Sequence, residues 1–486
     1  MQNSFIKDIE KFSFENFIKN LDINVNSFNS LCAKPEECGS CQISYISYNK
    51  QLELKKLYVQ ELLKLTGKVS KQILTNINVY PSTPNTFYRG RMDYAVNYGG
   101  LLGLKQKGDW ATIIPQHTCI LPLPVIKKSF HLLNKIVPKY LHGYDRLNKK
   151  GFVSFIVIRG SLLRQVSLNF VIRQDVVDKM HINKFQEKIN KIVKIIKEFN
   201  LIIKKEKLNI VFKGATVSVV NSGREDSNGR VFLNFKLRNS KLYFNIVNDY
   251  FNKAYNLEEF LLSKKYIKRS NLKNIVVEEV INGVTYKVLP FSFFQPNHYT
   301  SGTLQKLVAK EVFNILSFNK VQNTRNIALG NPVPVIVDLF GGQGFLGGFA
   351  HFVIRQDLRL PVKTKIIELD SKAIEIGKEV WQKFLKLEDI KGLSFEIADA
   401  YDIDLPKADI LILDPPRRGL TRKLIKQILN NKEIKYIVYV SCNIKQFAVE
   451  FKSHFYKNFE INKVQIVDQF PHTYHIETII TMKRAM

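Results

Sequence analysis

"VPVIVDLFGGQGFLGG", residues 333–348, decides the fold. Its first half is a run of branched apolar residues, as expected for a strand buried on both faces, and its second half is a glycine-rich turn. The same plan recurs downstream. "TKIIELD" (364–370), "SFEIADA" (394–400), "ADILILD" (408–414), "YIVYVSC" (436–442) and "VQIVDQF" (464–470) read as strands, several separated by helical stretches such as 371–386 and 421–430. Strands alternating with helices predict a parallel sheet covered on both faces, with ligands bound at the carboxyl ends of its strands. Residues 291–486 are therefore expected to form a Rossmann-like α/β domain.

The sequence upstream reads differently. Residues 1–80 are mostly helical in pattern, with Leu52, Leu54, Leu57, Val59, Leu62 and Leu63 at roughly helical spacing, and three cysteines stand among them. From 81 to 290 short strand-like runs such as "FVSFIVIR" and "QVSLNFVIR" mix with a few helices, the pattern of an α+β domain. At 486 residues two or three domains are the natural division. The formal charge of +30 calls for a polyanionic partner, nucleic acid before membrane surface, because neutralising phosphates releases counterions. No run approaches membrane-spanning length and the N-terminus lacks a secretory h-region, so a cytoplasmic protein is expected, with no protein partner implied.

Candidate chemistry collects at the strand ends. In the turn after the first strand, Phe340, Gly342 and Gly344 are placed to approach a ligand closely, although such turns serve dinucleotides and S-adenosylmethionine alike. Glu368 ends the next strand, where a carboxylate accepts from ribose hydroxyls, with Asp370 as the second choice. Asp399 follows the third and suits an adenine amino group. Asp414 opens "DPPRRGL", a loop whose prolines stop the ladder and whose arginines 417 and 418 can meet phosphate. Cys442 ends the strand after it: either inert packing or a thiol at the cleft. Glu477 begins a final strand. Outside the domain, Cys32, Cys38, Cys41 and Cys119 suit tetrahedral zinc or an iron-sulfur cluster.

Taken in order, "FSFFQPN", "DLFGGQG", "DPPRRG", "VSCN" and "FPHTYHIE" resemble the motifs of the RNA (uracil-5)-methyltransferases, over most of residues 32–486. The resemblance implies S-adenosylmethionine as cofactor, with Gln295, Gly342, Gly344 and Glu368 as contacts and Asp414 against the substrate base. It makes Cys442 the nucleophile and Glu477 the general base of uridine C5 methylation. It also implies a [4Fe-4S] cluster on Cys32, Cys38, Cys41 and Cys119, with zinc the weaker alternative, clamping the N-terminus onto the middle domain. Only 31 residues precede Cys32, so the β-barrel RNA-binding domain of many relatives is not expected, and 23S rRNA is the first expected substrate and the tRNA T-loop the second. RNA contacts are expected from Tyr88, Arg89, Gly90, Arg91 and Arg159, and base stacking from Phe293 or Phe294. Gly341 and Ile444 depart from the family, where Cys and Pro are frequent. Two rivals rank below: a non-catalytic iron-sulfur RNA-binding protein, and an amino-methyltransferase, which would place an aromatic residue where Arg417 stands.

Overall fold

The structure is a computed structural model describing residues 2–21, 31–32, 35–115, 118–145, 148, 150–220, 230–238, 241–247, 254–264, 267–270, 275–318 and 333–485. Its C-terminal part is built on an eight-stranded sheet. The order across it is Asn78–Tyr80, Phe459–Val467, Glu477–Arg484, Tyr436–Ser441, Ile410–Leu413, Val335–Leu339, Lys363–Glu368 and Leu393–Ile397. Every pairing is parallel except those of Glu477–Arg484, which runs antiparallel to both neighbours. Ile410–Leu413 is buried at every position, which is why it reads as an unbroken apolar run. Each such side chain withdrawn from water is worth about 1.5–3 kcal/mol.

From Val335–Leu339 the chain steps outward to Lys363–Glu368 and Leu393–Ile397, then returns to Ile410–Leu413 on the other side. That reversal opens a crevice at the carboxyl ends of Val335–Leu339 and Ile410–Leu413. One sheet face is covered by helices His298–Phe318, Gly347–Val353 and Ser371–Phe384, with Trp381 at the centre of the packing. The other is covered by helices Arg422–Asn430, Ile444–Ser453 and, unexpectedly, Tyr48–Lys64.

The division at residues 80 and 291 therefore differs from the observed packing. Leu54, Val59, Leu62 and Leu63 of the N-terminal helix share one apolar core with Phe447 and Phe451, and Asn78–Tyr80 forms the edge of the C-terminal sheet. Short helices cannot bury an apolar stripe on their own, so they take the nearest open sheet face. Likewise the hairpin of Val277–Ile281 and Val284–Val288 packs Ile281, Val284 and Tyr286 into the C-terminal core. The middle domain is a nine-stranded sheet, from Arg91–Val96 to Ile267–Arg269 in sequence, with helices Pro124–Ile136 and Ile182–Lys205 packed against it. Among the described residues no helix is long and apolar enough to cross a membrane.

Candidate active site

The sheet register brings the chemistry together. Leu339 lies opposite Leu413, and Leu413 opposite Tyr439, so the turns after these strands share one end of the sheet. The antiparallel neighbour brings its beginning to that same end: Ser441 pairs with Thr478, and one further step sets Cys442 against Glu477. The Thr478 hydroxyl donates to the Ser441 carbonyl at 3.2 Å and closes the pair. Cys442 is half-buried, whereas Glu477 is buried and its Oε1 has no hydrogen-bond partner.

Beside them lies a cleft of about 810 Å³ lined by Phe340, Gly342, Glu368, Gln295, Asp338 and Asp414 among others. Phe340 (φ 62°) and Gly342 (φ 55°) both adopt the left-handed conformation, which turns the backbone sharply away from the strand. The Gly342 amide donates to Glu368 Oε2 at 3.1 Å and the Asp370 amide to Oε1 at 2.9 Å, so Glu368 is held at the cleft wall. A Cβ on Gly341 would stand 2.6 Å from Ile366 Cγ2 and 2.9 Å from Asp338 Oδ2, so a larger residue there requires its neighbours to move. Gln295 reaches Asp414 only at 3.5 Å.

Two expected contacts fall elsewhere. Asp399 does not line the cleft; its Oδ1 accepts from the Tyr401 amide at 2.9 Å and shapes the local turn. Asp370 lines the cleft but caps helix Ser371–Phe384 through the Lys372 amide at 2.9 Å. Conversely, Asp338 and Gln343 line the cleft without having been singled out, since a buried strand aspartate and a loop glutamine carry no spacing signal. Phe294 packs on Tyr286 and Phe345, while Phe293 is 78% exposed and available for stacking.

The loop after Asp414 is fixed from below. Glu450 accepts from the Leu420 amide (2.8 Å), the Tyr439 hydroxyl (2.9 Å) and Gln446 Nε2 (3.0 Å). Asn443 ties this loop to the strand of Cys442: its amide donates to the Arg417 carbonyl at 3.0 Å, and its Oδ1 caps helix Ile444–Ser453 by accepting from the Gln446 amide. Ile444 is the first residue of that helix, a position that favours proline, and buries its side chain instead. Arg418 stacks on Tyr401, its guanidinium 4.2 Å from the ring, which leaves Arg417 facing the thiol.

Burial dominates the electrostatics. It pushes the Cys442 thiol up to about 12, helped by Glu477 and Asp414, with Arg417 pulling the other way. Glu477 is raised by burial and by Asp414, again opposed by Arg417. Asp414 rises to about 7 and Asp338 to about 8, each chiefly through burial. His475 falls to about 4, so it is neutral at pH 7. The site thus holds a thiol and several carboxyls whose charged forms disfavour one another.

A second cleft of about 850 Å³ opens on the far side of Cys442, walled by Arg417, Tyr474 and His475 and by Phe14 and Tyr58 of the N-terminal helices. The expected RNA contacts divide. Arg89 is exposed, but Arg159 is buried and donates to the Ser292 carbonyl, while Arg91 pairs with Asp93 and donates to the Phe291 carbonyl. Arg159 and Arg91 therefore brace the loop before Gln295; neither is a free phosphate ligand. Tyr88 is buried too, its hydroxyl donating to the Pro471 carbonyl at 3.1 Å.

Cys32, Cys38, Cys41 and Cys119 are all buried, and they gather. Burial and the three other thiols all raise Cys41, and burial with Cys38 and Cys32 raises Cys119 to about 11. Among the described residues, however, no group of three or more His, Cys, Asp or Glu side chains is arranged to hold a metal ion. A backbone bond from the Lys107 amide to the Glu37 carbonyl (2.8 Å) links this segment to the middle domain.

Residues 365–485 match the family model described as tRNA (uracil-5-)-methyltransferase. The tRNA (uracil(54)-C(5))-methyltransferase of Pyrococcus furiosus is 24% identical over 453 residues, 93% of this chain and 84% of its own. An uncharacterized RNA methyltransferase of Nanoarchaeum equitans is 26% identical over 459 residues, 94% of this chain and 80% of its own. Among solved structures, the Pyrococcus abyssi tRNA (uracil-54, C5)-methyltransferase in complex with S-adenosyl-L-homocysteine aligns with a TM-score of 0.59 at 20% identity. It covers 93% of this chain and 86% of that one, a likeness of fold.

Proposed function

We propose that this chain, whose residues 365–485 match the tRNA (uracil-5-)-methyltransferase model, methylates carbon 5 of a uridine in RNA, with Cys442 as nucleophile and Glu477 as base. The observation that carries the reading is the Ser441–Thr478 register, which brings the Cys442 thiol into the field of Glu477 and Asp414, with Asp414 lining one cleft and Cys442 the other. The cleft at Glu368 suits a nucleoside: Glu368 offers acceptors to ribose hydroxyls, and Phe340 and the glycines leave the backbone open. S-adenosylmethionine bound there supplies an electrophilic methyl group. The cleft at Tyr474 and Arg417 takes the unstacked uridine.

Carbon 5 of uracil is a poor nucleophile. Addition of the Cys442 thiolate to carbon 6 moves the ring electrons onto carbon 5, where the methyl group is accepted. Glu477 then removes the carbon-5 proton; that C–H pair re-forms the ring double bond, the C6–S bond breaks, and the thiolate leaves. Asp414 faces the base edge. Because the thiol sits near 12 in the free protein, little thiolate exists before RNA enters, and Arg417 is the charge set to favour it.

The relatives named for tRNA uracil 54 make a tRNA T-loop the first substrate to test, with 23S rRNA beside it. Unmodified transcripts of each are incubated with methyl-labelled S-adenosylmethionine and digested to nucleosides. Label in 5-methyluridine is the expected result, the transcript that carries it names the substrate, and its absence from both sinks the proposal.

We further propose a [4Fe-4S] cluster on Cys32, Cys38, Cys41 and Cys119. An all-sulfur donor set of four buried thiols that act electrostatically on one another suits iron-sulfur chemistry. Anaerobically purified protein should carry iron and sulfide with visible absorption; stoichiometric zinc without iron would reject this.

A further inference from the structure

The N-terminal helix Tyr48–Lys64 grips the segment that leads into Glu477. Asp468 lies just past strand Phe459–Val467, and both its oxygens are taken by this helix: Lys55 Nζ donates to Oδ1 at 2.7 Å and the Tyr48 hydroxyl to Oδ2 at 2.9 Å. The side chains of Lys55 and Asp468 are fully buried. Lys55 also donates to the Phe470 carbonyl at 3.0 Å, and Tyr48 accepts from the Ser82 amide at 2.7 Å. One turn along, Gln51 Oε1 accepts from the His472 amide at 2.9 Å, and its Nε2 donates to the carbonyls of Ile43 (3.0 Å) and Ile46 (2.7 Å). The Ile43 amide closes the loop by donating to the His472 carbonyl at 3.1 Å.

His472 is the point of strain. Its φ of 67° is left-handed, a conformation that is strained for a non-glycine residue and persists only where the surroundings over-determine it. Here both of its backbone polar groups are held by the N-terminal segment, and Gln42 Oε1 accepts from the Tyr474 amide at 3.3 Å just beyond. The chain from this strained residue to Glu477 is five residues long, so the angle set at His472 determines where the carboxylate stands.

We propose that Tyr48, Gln51 and Lys55 are positioning residues for Glu477, so that the N-terminal region governs the proton-removal step. The inference rests on Glu477 being the base of the reaction proposed above. A displacement of about 1 Å at a reacting group can cost about 10²-fold, and it would fall on release of the enzyme–RNA adduct, not on its formation.

The test separates these two steps in the full chain. Single-turnover reactions with RNA and labelled S-adenosylmethionine are quenched into denaturant; adduct on the gel reports formation, and free methylated RNA reports release. Gln51→Met keeps volume and removes the clamp; adduct formation should hold at the parent rate while release slows by about tenfold or more. Glycine adopts the left-handed conformation without strain, so Gln51→Met/His472→Gly should recover release toward the parent. If Gln51→Met does not fold, Tyr48→Phe removes the donor to Asp468 together with the acceptor of the Ser82 amide and is read the same way. A merely structural role slows formation and release together and gains nothing from the glycine; either result overturns the proposal. Failure of the parent and of Glu477→Gln to form any adduct removes the reading beneath it instead.

Discussion

Replacing Glu477 by glutamine should separate release of the methylated adduct from its formation. The substitution keeps the shape and removes the base. General-base catalysis contributes about 10²–10⁴-fold, so release of the methylated adduct should slow by that factor, about 3–5 kcal/mol of barrier. The same carboxyl is, after burial, the largest influence holding the Cys442 thiol up near 12. Burial and Asp414, however, favour the neutral form of Glu477 itself, so a neutral glutamine changes the field at the thiol little and adduct formation should run near the parent rate. Rapid-quench reactions with labelled S-adenosylmethionine should show a full burst of denaturant-stable adduct followed by a slow decay. Cys442→Ala should show none. A Glu477→Gln enzyme that turns over at the parent rate, or that loses adduct formation as steeply as release, would refute the assignment.

Three further outcomes follow from the geometry. Asp338 is buried with Oδ1 unpartnered and is raised from 3.8 to about 8, so the stability it contributes is complete below about pH 4 and lost as pH rises through 8. Its slope is at most about 1.4 kcal/mol per pH unit, and Asp338→Asn should flatten that part of a denaturation-versus-pH curve; an unchanged slope refutes it. Glu450→Leu strips three donors of their acceptor and should cost about 1–3 kcal/mol for each left unsatisfied, read by chemical denaturation, and should loosen the Asp414 loop. Phe293→Ala should weaken RNA binding by about 1–3 kcal/mol with unfolding little changed, because the residue is 78% exposed; equal affinity in a filter assay would rule out stacking there.

What could be read from the sequence followed from periodicity. Ile410–Leu413 and Val335–Leu339 are apolar because both faces are covered, and their ends had to meet because parallel strands put all their carboxyl ends on one side. The nine buried positions of Gln165–Arg173 are less legible, since Ser167 and Asn169 read as a solvent face and are in fact buried. Nothing in residues 48–64 announces that Lys55 meets Asp468, 413 positions away: a lysine on an amphipathic helix ordinarily reads as solvated. Arg159 misleads for the same reason, its charge suggesting phosphate where the fold uses its donors on a backbone carbonyl.

The arrangement of charge also bears on the proposed role of Cys442 as nucleophile, whose neutral form it favours. Glu477 and Asp414 raise Cys442 and Asp414 raises Glu477, in each case after burial, and Arg417 is the opposing charge common to the thiol and Glu477. Burying three acids together would be costly if all ionised, so the free site favours protonated forms. A uracil entering between them brings its own carbonyl and imide groups to the Asp414 edge and displaces water, and it supplies the ring carbon that only a thiolate attacks. Substrate binding, not the resting field, must therefore complete the activation of Cys442. That assigns Arg417 a role in the bound state: its weak hold on a thiol near 12 matters most when the RNA has closed the cleft and excluded competing solvent.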